Sequence, residues 1–204
     1  MSADSPPRRL YYIPIVHTQE DLGSLAASAQ AQTVARLGAA AWEAKQRAGI
    51  EYWGRVAAWT NELPPALSGF RLYQDGLPVC GTEAQIVAEL EGRGSRNYQL
   101  LAQLVRRGAT LMGTESPQLL LEEYQLMQAL LKAPGGSSLQ NSNNLLARRD
   151  AFIALRIGQT LFPGESGILF IGALHEVAPL LPTDLEVLYP LGSGRTDADV
   201  SKRP

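Results

Sequence analysis

Cysteine is almost missing from this chain. Cys80 is the single one among 204 residues, so no internal disulfide can form and no cysteine cluster can hold zinc. That usage suits a reducing compartment. Histidine is scarce too, with only His17 and His175. Neither sign of charge is in excess: 18 Lys and Arg stand against 20 Asp and Glu, for a net charge of −2 and a pI of about 5.7. A nucleic-acid binder usually carries a basic excess on one face, and here Arg106-Arg107 and Arg148-Arg149 are local pairs. No apolar run reaches the length that spans a bilayer. The opening MSADSPPRRL lacks the apolar core of a signal peptide. The expectation is a cytoplasmic protein with neither membrane nor nucleic acid as partner.

What is present is an alternating pattern over a length that suits one domain. A chain of this size buries roughly 70% of the surface its unfolded form exposes, enough for a core without metal or disulfides. Residues 1–9 and 193–204 read as disordered tails, with little to bury. Tyr11 to His17 reads as a strand, and a long helical region follows from about Gln19 to Leu63. Gly38, Gly49 and Gly54 weaken that region, which reads as one helix or two, and Pro64-Pro65 ends it. Phe70 to Leu77 is a second strand with its exit turn. Thr82 with Gln85 opens the next helical region, broken near GRGSRN and stopped at Gly108. Ala109 to Thr114 is a third strand, and Ser116-Pro117 starts a helix that ends near Lys132. Pro134 to Asn144 reads as a loop and as the least ordered internal segment. Leu145 to Leu161 is helical, Gly167 to Leu174 is the fourth strand, and Leu185 to Leu191 a fifth. Strands alternating with helices predict an α/β domain over 10–192: a mostly parallel central sheet of about five strands flanked by helices. The unbroken apolar runs agree, because a strand covered on both faces does not alternate.

Ligands of parallel α/β sheets bind at the carboxyl ends of the strands. Strand one delivers His17 there, strand two Asp75, strand three Glu115, and strand four His175 with Glu176. A histidine titrates near neutral pH and can act as acid or base toward water, oriented by a neighbouring carboxylate. Alternatively, His17 and His175 with carboxylates would suit a divalent metal, although no local metal motif is present. Each residue has a structural alternative. A lone histidine can cap a strand, Asp75 precedes Gly76 in a common turn pair, and Glu115 can face a helix start.

RRDAFIALRIGQTL followed by GILFIGALH resembles the C-terminal motif of the TraB, Tiki and erythromycin-esterase-like superfamily. That motif has an arginine followed by Asn or Asp, a helix, and a hydrophobic strand ending in GxxH. Here it maps to Arg149-Asp150 and Gly172-Ala173-Leu174-His175. Members carry a second GxxH near the N-terminus, where this chain has Pro14-Ile15-Val16-His17, with the histidine but not the glycine. The resemblance implies an α/β fold with both histidines in one cleft. It implies chemistry that ranges over ester hydrolysis, metal-dependent proteolysis and haem binding. Arg149 becomes an anion-binding or carboxylate-pairing group.

The resulting expectation is a hydrolase-like protein whose cleft holds His175, His17, Glu115 and Arg149, with His175 as general base or metal ligand. It would act on a small-molecule or peptide ligand. Two alternatives stay open: a non-catalytic ligand binder using the same cleft, and a homo-oligomeric interaction module, such as a homodimer, built on the helical region 19–63. Two helices between strands three and four raise a geometric question. A tight helical hairpin would turn strand four antiparallel, whereas a loop over 134–144, spanning up to roughly 35 Å, can return a helix of about 24 Å to the same edge.

Overall fold

The apolar run out of Gly167 forms the central strand of a five-stranded, wholly parallel sheet. The computed structural model describes residues 6–15, 26–132 and 138–192. In chain order the elements are β1 (Arg8–Ile15), α1 (Ala26–Leu37), α2 (Ala39–Glu62), β2 (Phe70–Gln74), α3 (Glu83–Gly92), α4 (Arg96–Arg106), β3 (Thr110–Met112), α5 (Pro117–Lys132), α6 (Ser138–Thr160), β4 (Ser166–Gly172) and β5 (Leu185–Leu188). The strands lie in the order β3-β2-β4-β1-β5. β4 is inserted between β2 and β1, pairing Phe170 with Gln74 on one side and Gly172 with Ile15 on the other. The carboxyl ends of β2 and β4 are therefore adjacent. Among the described residues, no helix is long and apolar enough to cross a membrane.

Both faces of the sheet are covered, which accounts for the unbroken hydrophobicity of β4. Ile168 and Phe170 pack on one side with Trp53 and Val56 of α2, Val87 of α3 and Leu101 and Leu104 of α4. Leu169 and Ile171 pack on the other with Ile153 and Ile157 of α6 and Leu161 just after it, together with Val177 and Leu185. All four β4 side chains are fully buried. Burial of this kind is worth about 1.5–3 kcal/mol per large side chain, so the sheet's middle holds the layers together.

The structure differs from the sequence expectations in three places. β1 begins at Arg8, inside the stretch read as a tail. Arg8 is only 7% exposed and donates to both carboxylate oxygens of Asp184 at 3.0 and 2.6 Å and to the carbonyls of Gly158 and Leu161 at 3.0 and 2.9 Å. It closes the C-terminal end of α6, a role that arginine's fork of donors suits and composition cannot reveal. Second, α6 starts at Ser138, so the Gly, Ser and Asn composition over 134–144 misled the loop reading from 138 onward, and residues 133–137 lie outside the described residues. Third, α5 and α6 form a tight antiparallel hairpin, marked by the pairs Glu122–Arg148 and Glu123–Arg149, and yet β4 emerges parallel. The reason is unequal length. α5 has 16 residues and α6 has 23, about 24 and 35 Å. The first half of α6 pairs with α5, and the second half continues across the sheet to its amino end.

Arg107 ties the first long helix to the rest. Its guanidinium donates to the carbonyls of Thr60, Leu63 and Pro64 at 2.8, 3.1 and 2.8 Å, groups that the end of α2 leaves without helical partners. Arg107→Met should lower stability by about 1–3 kcal/mol, read as a reduced urea midpoint at unchanged slope. An unchanged midpoint would show that water satisfies these carbonyls equally well.

Candidate functional site

The apolar stripe of α6 determines where its charged residues go. Ile153, Ile157 and Leu161 face the sheet. Continuing that stripe one turn toward the N-terminus gives Arg149 and Asp150, four residues before Ile153 and Ala154. Packing of the hydrophobic half thus delivers a buried arginine and a buried aspartate, 5% and 4% exposed, to the carboxyl edge of the sheet.

Arg149 meets three carboxylates there. Its Nε donates to Glu115 Oε2 at 2.6 Å, and Nη2 donates to Glu115 Oε1 at 2.7 Å and to Asp75 Oδ1 at 2.9 Å. Nη1 donates to Glu123 of α5. Glu115 is fully buried. It is fixed by its own backbone, whose N–H donates to Leu77 O and whose carbonyl accepts from Val79 N. Its Oε1 also accepts the Gly76 N–H at 2.7 Å. Gly76 adopts φ 74°, a conformation that favours glycine. The Asp75-Gly76 turn and the charged cluster are therefore one feature, in which the turn aims an amide at Glu115 and a carboxylate at Arg149.

β4 supplies the histidine. After Gly172 the chain turns, with His175 N donating to Gly172 O at 3.1 Å. The ring is held between two carboxylates. Nδ1 lies 2.5 Å from Asp150 Oδ1, and Nε2 lies 3.5 Å from Asp75 Oδ2. Asp150 Oδ2 accepts the Glu176 N–H at 2.9 Å, which locks the carboxylate that locks the ring. Asp75 Oδ2 accepts the Gly172 N–H at 2.9 Å. A Cβ at position 172 would sit 2.8 Å from that oxygen and 3.5 Å from His175 Cδ2, so a side chain there would push the Asp75 carboxylate from its place. Tyr12 of β1 donates its hydroxyl to the His175 carbonyl at 3.4 Å.

The electrostatics follow from this crowding. Burial opposes the charge of His175, but the hydrogen bonds that the ring donates to Asp150 and Asp75 outweigh it and raise its pKa from 6.5 to about 9. At neutral pH it is an imidazolium, better placed to donate a proton than to accept one. Burial also raises Asp75, yet His175, Glu115 and Arg149 together hold it well below the usual carboxylate range. Burial pushes Glu115 up and the neighbouring Asp75 adds to this, with Arg149 opposing. Arg149 is desolvated, and its carboxylate partners more than restore its charge.

Of the residues expected in the site, the structure brings together His175, Glu115 and Arg149. His17 lies outside the described residues, and so do its proposed shared site with His175 and its part in a metal pair. The sequence reading passed over Asp150 as a site residue and favoured the turn for Asp75. The i, i+4 continuation of the α6 stripe is the signal that could have found Asp150. Cys80 is exposed, with Sγ 3.2 Å from Thr82 Oγ1. Asp75, Glu115 and His175 offer ligand atoms within 4.8 Å of one another, the set that could hold a divalent ion among the described residues. They fit one poorly, because Arg149 already places a cation against both carboxylates and would stand beside any metal there.

A cavity of about 540 Å³ opens onto this cluster, with Asp75, Glu123, Arg149 and His175 in its wall and Leu90 and Leu174 among its apolar lining. No family model, no curated protein and no solved structure matches the chain.

The raised pKa has a consequence for stability. The ion pairs of protonated His175 contribute fully below about pH 6.5 and are lost as pH rises through about 9. Wild-type stability should therefore fall over that window, by on the order of 3 kcal/mol in the limit. In Asp150→Asn the fall should shrink and move to lower pH. A flat profile from pH 6 to 9.5 in chemical denaturation would contradict the assignment.

Proposed function

We propose that the chain is a hydrolase-like acid–base catalyst of the cleft at the strand ends, acting on a neutral ester or amide without a bound metal. The observation that supports this reading most is the pair His175 and Asp75 in the cavity wall, with one ring nitrogen anchored at 2.5 Å by the buried Asp150 behind it and the other facing Asp75 at 3.5 Å. The resemblance of Arg149-Asp150 and Gly172–His175 to the TraB and erythromycin-esterase-like motif points the same way.

In this mechanism the Nε2–H of His175 donates to the substrate carbonyl oxygen and stabilises the charge that develops there. Water, accepted by the Asp75 carboxylate as a hydrogen-bond donor, adds its oxygen to the carbonyl carbon and releases a proton to solvent. The bond from the carbonyl carbon to the leaving oxygen of an ester, or nitrogen of an amide, then breaks as the Nε2 proton of His175 shifts from the carbonyl oxygen to the departing atom. The products are an acid, which ionises, and an alcohol or an amine, and His175 regains its proton from solvent. Asp150 holds the ring and its tautomer. Arg149 keeps Asp75 ionised and fixed.

A second reading is binding without turnover. It draws support from the saturation of the network, since both Glu115 and Asp75 are already engaged by Arg149 and by backbone amides.

Hydrolysis of ethyl butyrate, followed by titration of the released acid, separates the two. Catalysis predicts a rate that falls as pH rises through about 9. It also predicts a loss of about 100-fold or more in kcat/KM for His175→Ala. The loss should be smaller on p-nitrophenyl butyrate, whose leaving group needs no proton. A wild-type rate no greater than that of His175→Ala on both esters would leave only the binding reading. A rate that rises through pH 9 would make His175 a base.

A further inference from the structure

Two buried amides line the same cavity and play no part in the chemistry above. Gln74 is the last residue of β2, next to Asp75, and Asn97 lies in the first turn of α4. Each is 2% exposed, and both belong to the cavity wall. The Oε1 of Gln74 and the Oδ1 of Asn97 have no hydrogen-bond partner among the described residues. An unmade bond of this kind in a buried setting is costly and calls for an explanation.

The orientation of Gln74 is settled by its other atom. Its Nε2 donates to the Asp75 carbonyl at 3.0 Å, so turning the amide over would set oxygen against oxygen. Position 74 therefore presents an acceptor. The Asn97 amide can serve as acceptor or donor. The lining also includes the apolar side chains of Leu90, Leu146 and the 81%-exposed Leu174. The wall sets Asp75 and Glu123 against Arg149 and His175, and Glu115 and Asp150 behind it add two more carboxylates, so an anionic ligand is disfavoured.

We infer that this cavity selects a neutral ligand with an apolar tail and an N–H or O–H donor close to its carbonyl group, a primary or secondary amide or a hydroxy ester, with Gln74 Oε1 accepting that donor. The inference rests on the reading of the cleft as a substrate site and names the substrate class. Oε1 is itself enclosed, so a ligand donor reaches it through a small rotation about the soft terminal amide torsion that keeps the Nε2–H on the Asp75 carbonyl. Gln74 thereby acts as a specificity residue that reads the ligand without touching the reacting atoms.

Octanamide and N,N-dimethyloctanamide share a tail and a carbonyl and differ in the N–H donors. Calorimetric titration of the full chain with each should give about tenfold tighter binding or more for octanamide. Gln74→Leu should bring the two within about twofold. Gln74→Met provides the same test should the leucine variant fold poorly by circular dichroism. Equal affinity for the two amides, no binding of either, or a preference that survives in a folded Gln74 variant would each overturn the inference. The same titration on His175→Ala keeps this inference apart from the catalytic reading. A retained preference upholds the ligand class even if ester hydrolysis fails, and a lost preference removes Gln74 as its reader.

Discussion

The guanidinium of Arg149 is the group on which this edge of the molecule depends. Glu115 is fully buried and Asp75 is 13% exposed at its side chain. Neither carboxylate could sit there ionised without a cation, because isolated charges are expelled from low-dielectric surroundings or neutralised. Arg149 supplies that cation in a form matched to the task. Its planar fork reaches both oxygens of Glu115 and one of Asp75 at once, and its charge is not lost at any physiological pH. A lysine would offer the charge without the fork.

From this pairing the rest of the site follows as a problem of charge. Asp75, Glu115 and Glu123 meet Arg149, and Asp75 and Asp150 meet the ring of His175, so four carboxylates share one fixed cation and an excess of negative charge is left around the ring. Protonation of that ring relieves the excess, which is why its pKa rises although burial acts in the other direction. The strand ends make this possible. β4 lies between β2 and β1, so the turn after Gln74 and the turn after Gly172 approach within hydrogen-bonding distance, as the Gly172 N–H to Asp75 Oδ2 bond records. A side chain at 172 would wedge the two apart.

Much of the scaffold was legible in the sequence because burial leaves a periodic trace. The continuous apolar run Gly167–Ile171 implied a strand covered on both faces, and β4 is that strand. The Ser116-Pro117 pair marked the start of α5, and Ser116 Oγ accepts the Leu119 N–H. What escaped the reading was set by long-range geometry. No local pattern says that Arg8 will reach the end of α6, or that Asp75 is more than half of a turn. The Ser138–Asn144 stretch shows the limit of composition: residues with weak helical preference are carried into α6 by the helix they extend. For the site, the reading found the residues at strand ends, Glu115 and His175. It undervalued Asp75 and Asp150, whose importance comes from what they touch.

The central claim is that two carboxylates hold the ring of His175 as an imidazolium well above neutral pH, and an imidazole titration by nuclear magnetic resonance tests it most directly. The chain has two histidines, so a His17→Gln variant leaves the His175 ring as the single imidazole in the nitrogen spectrum. The account predicts a midpoint near 9 for His175, moving down in Asp150→Asn. A midpoint at or below 6.5 in the otherwise native protein would contradict it.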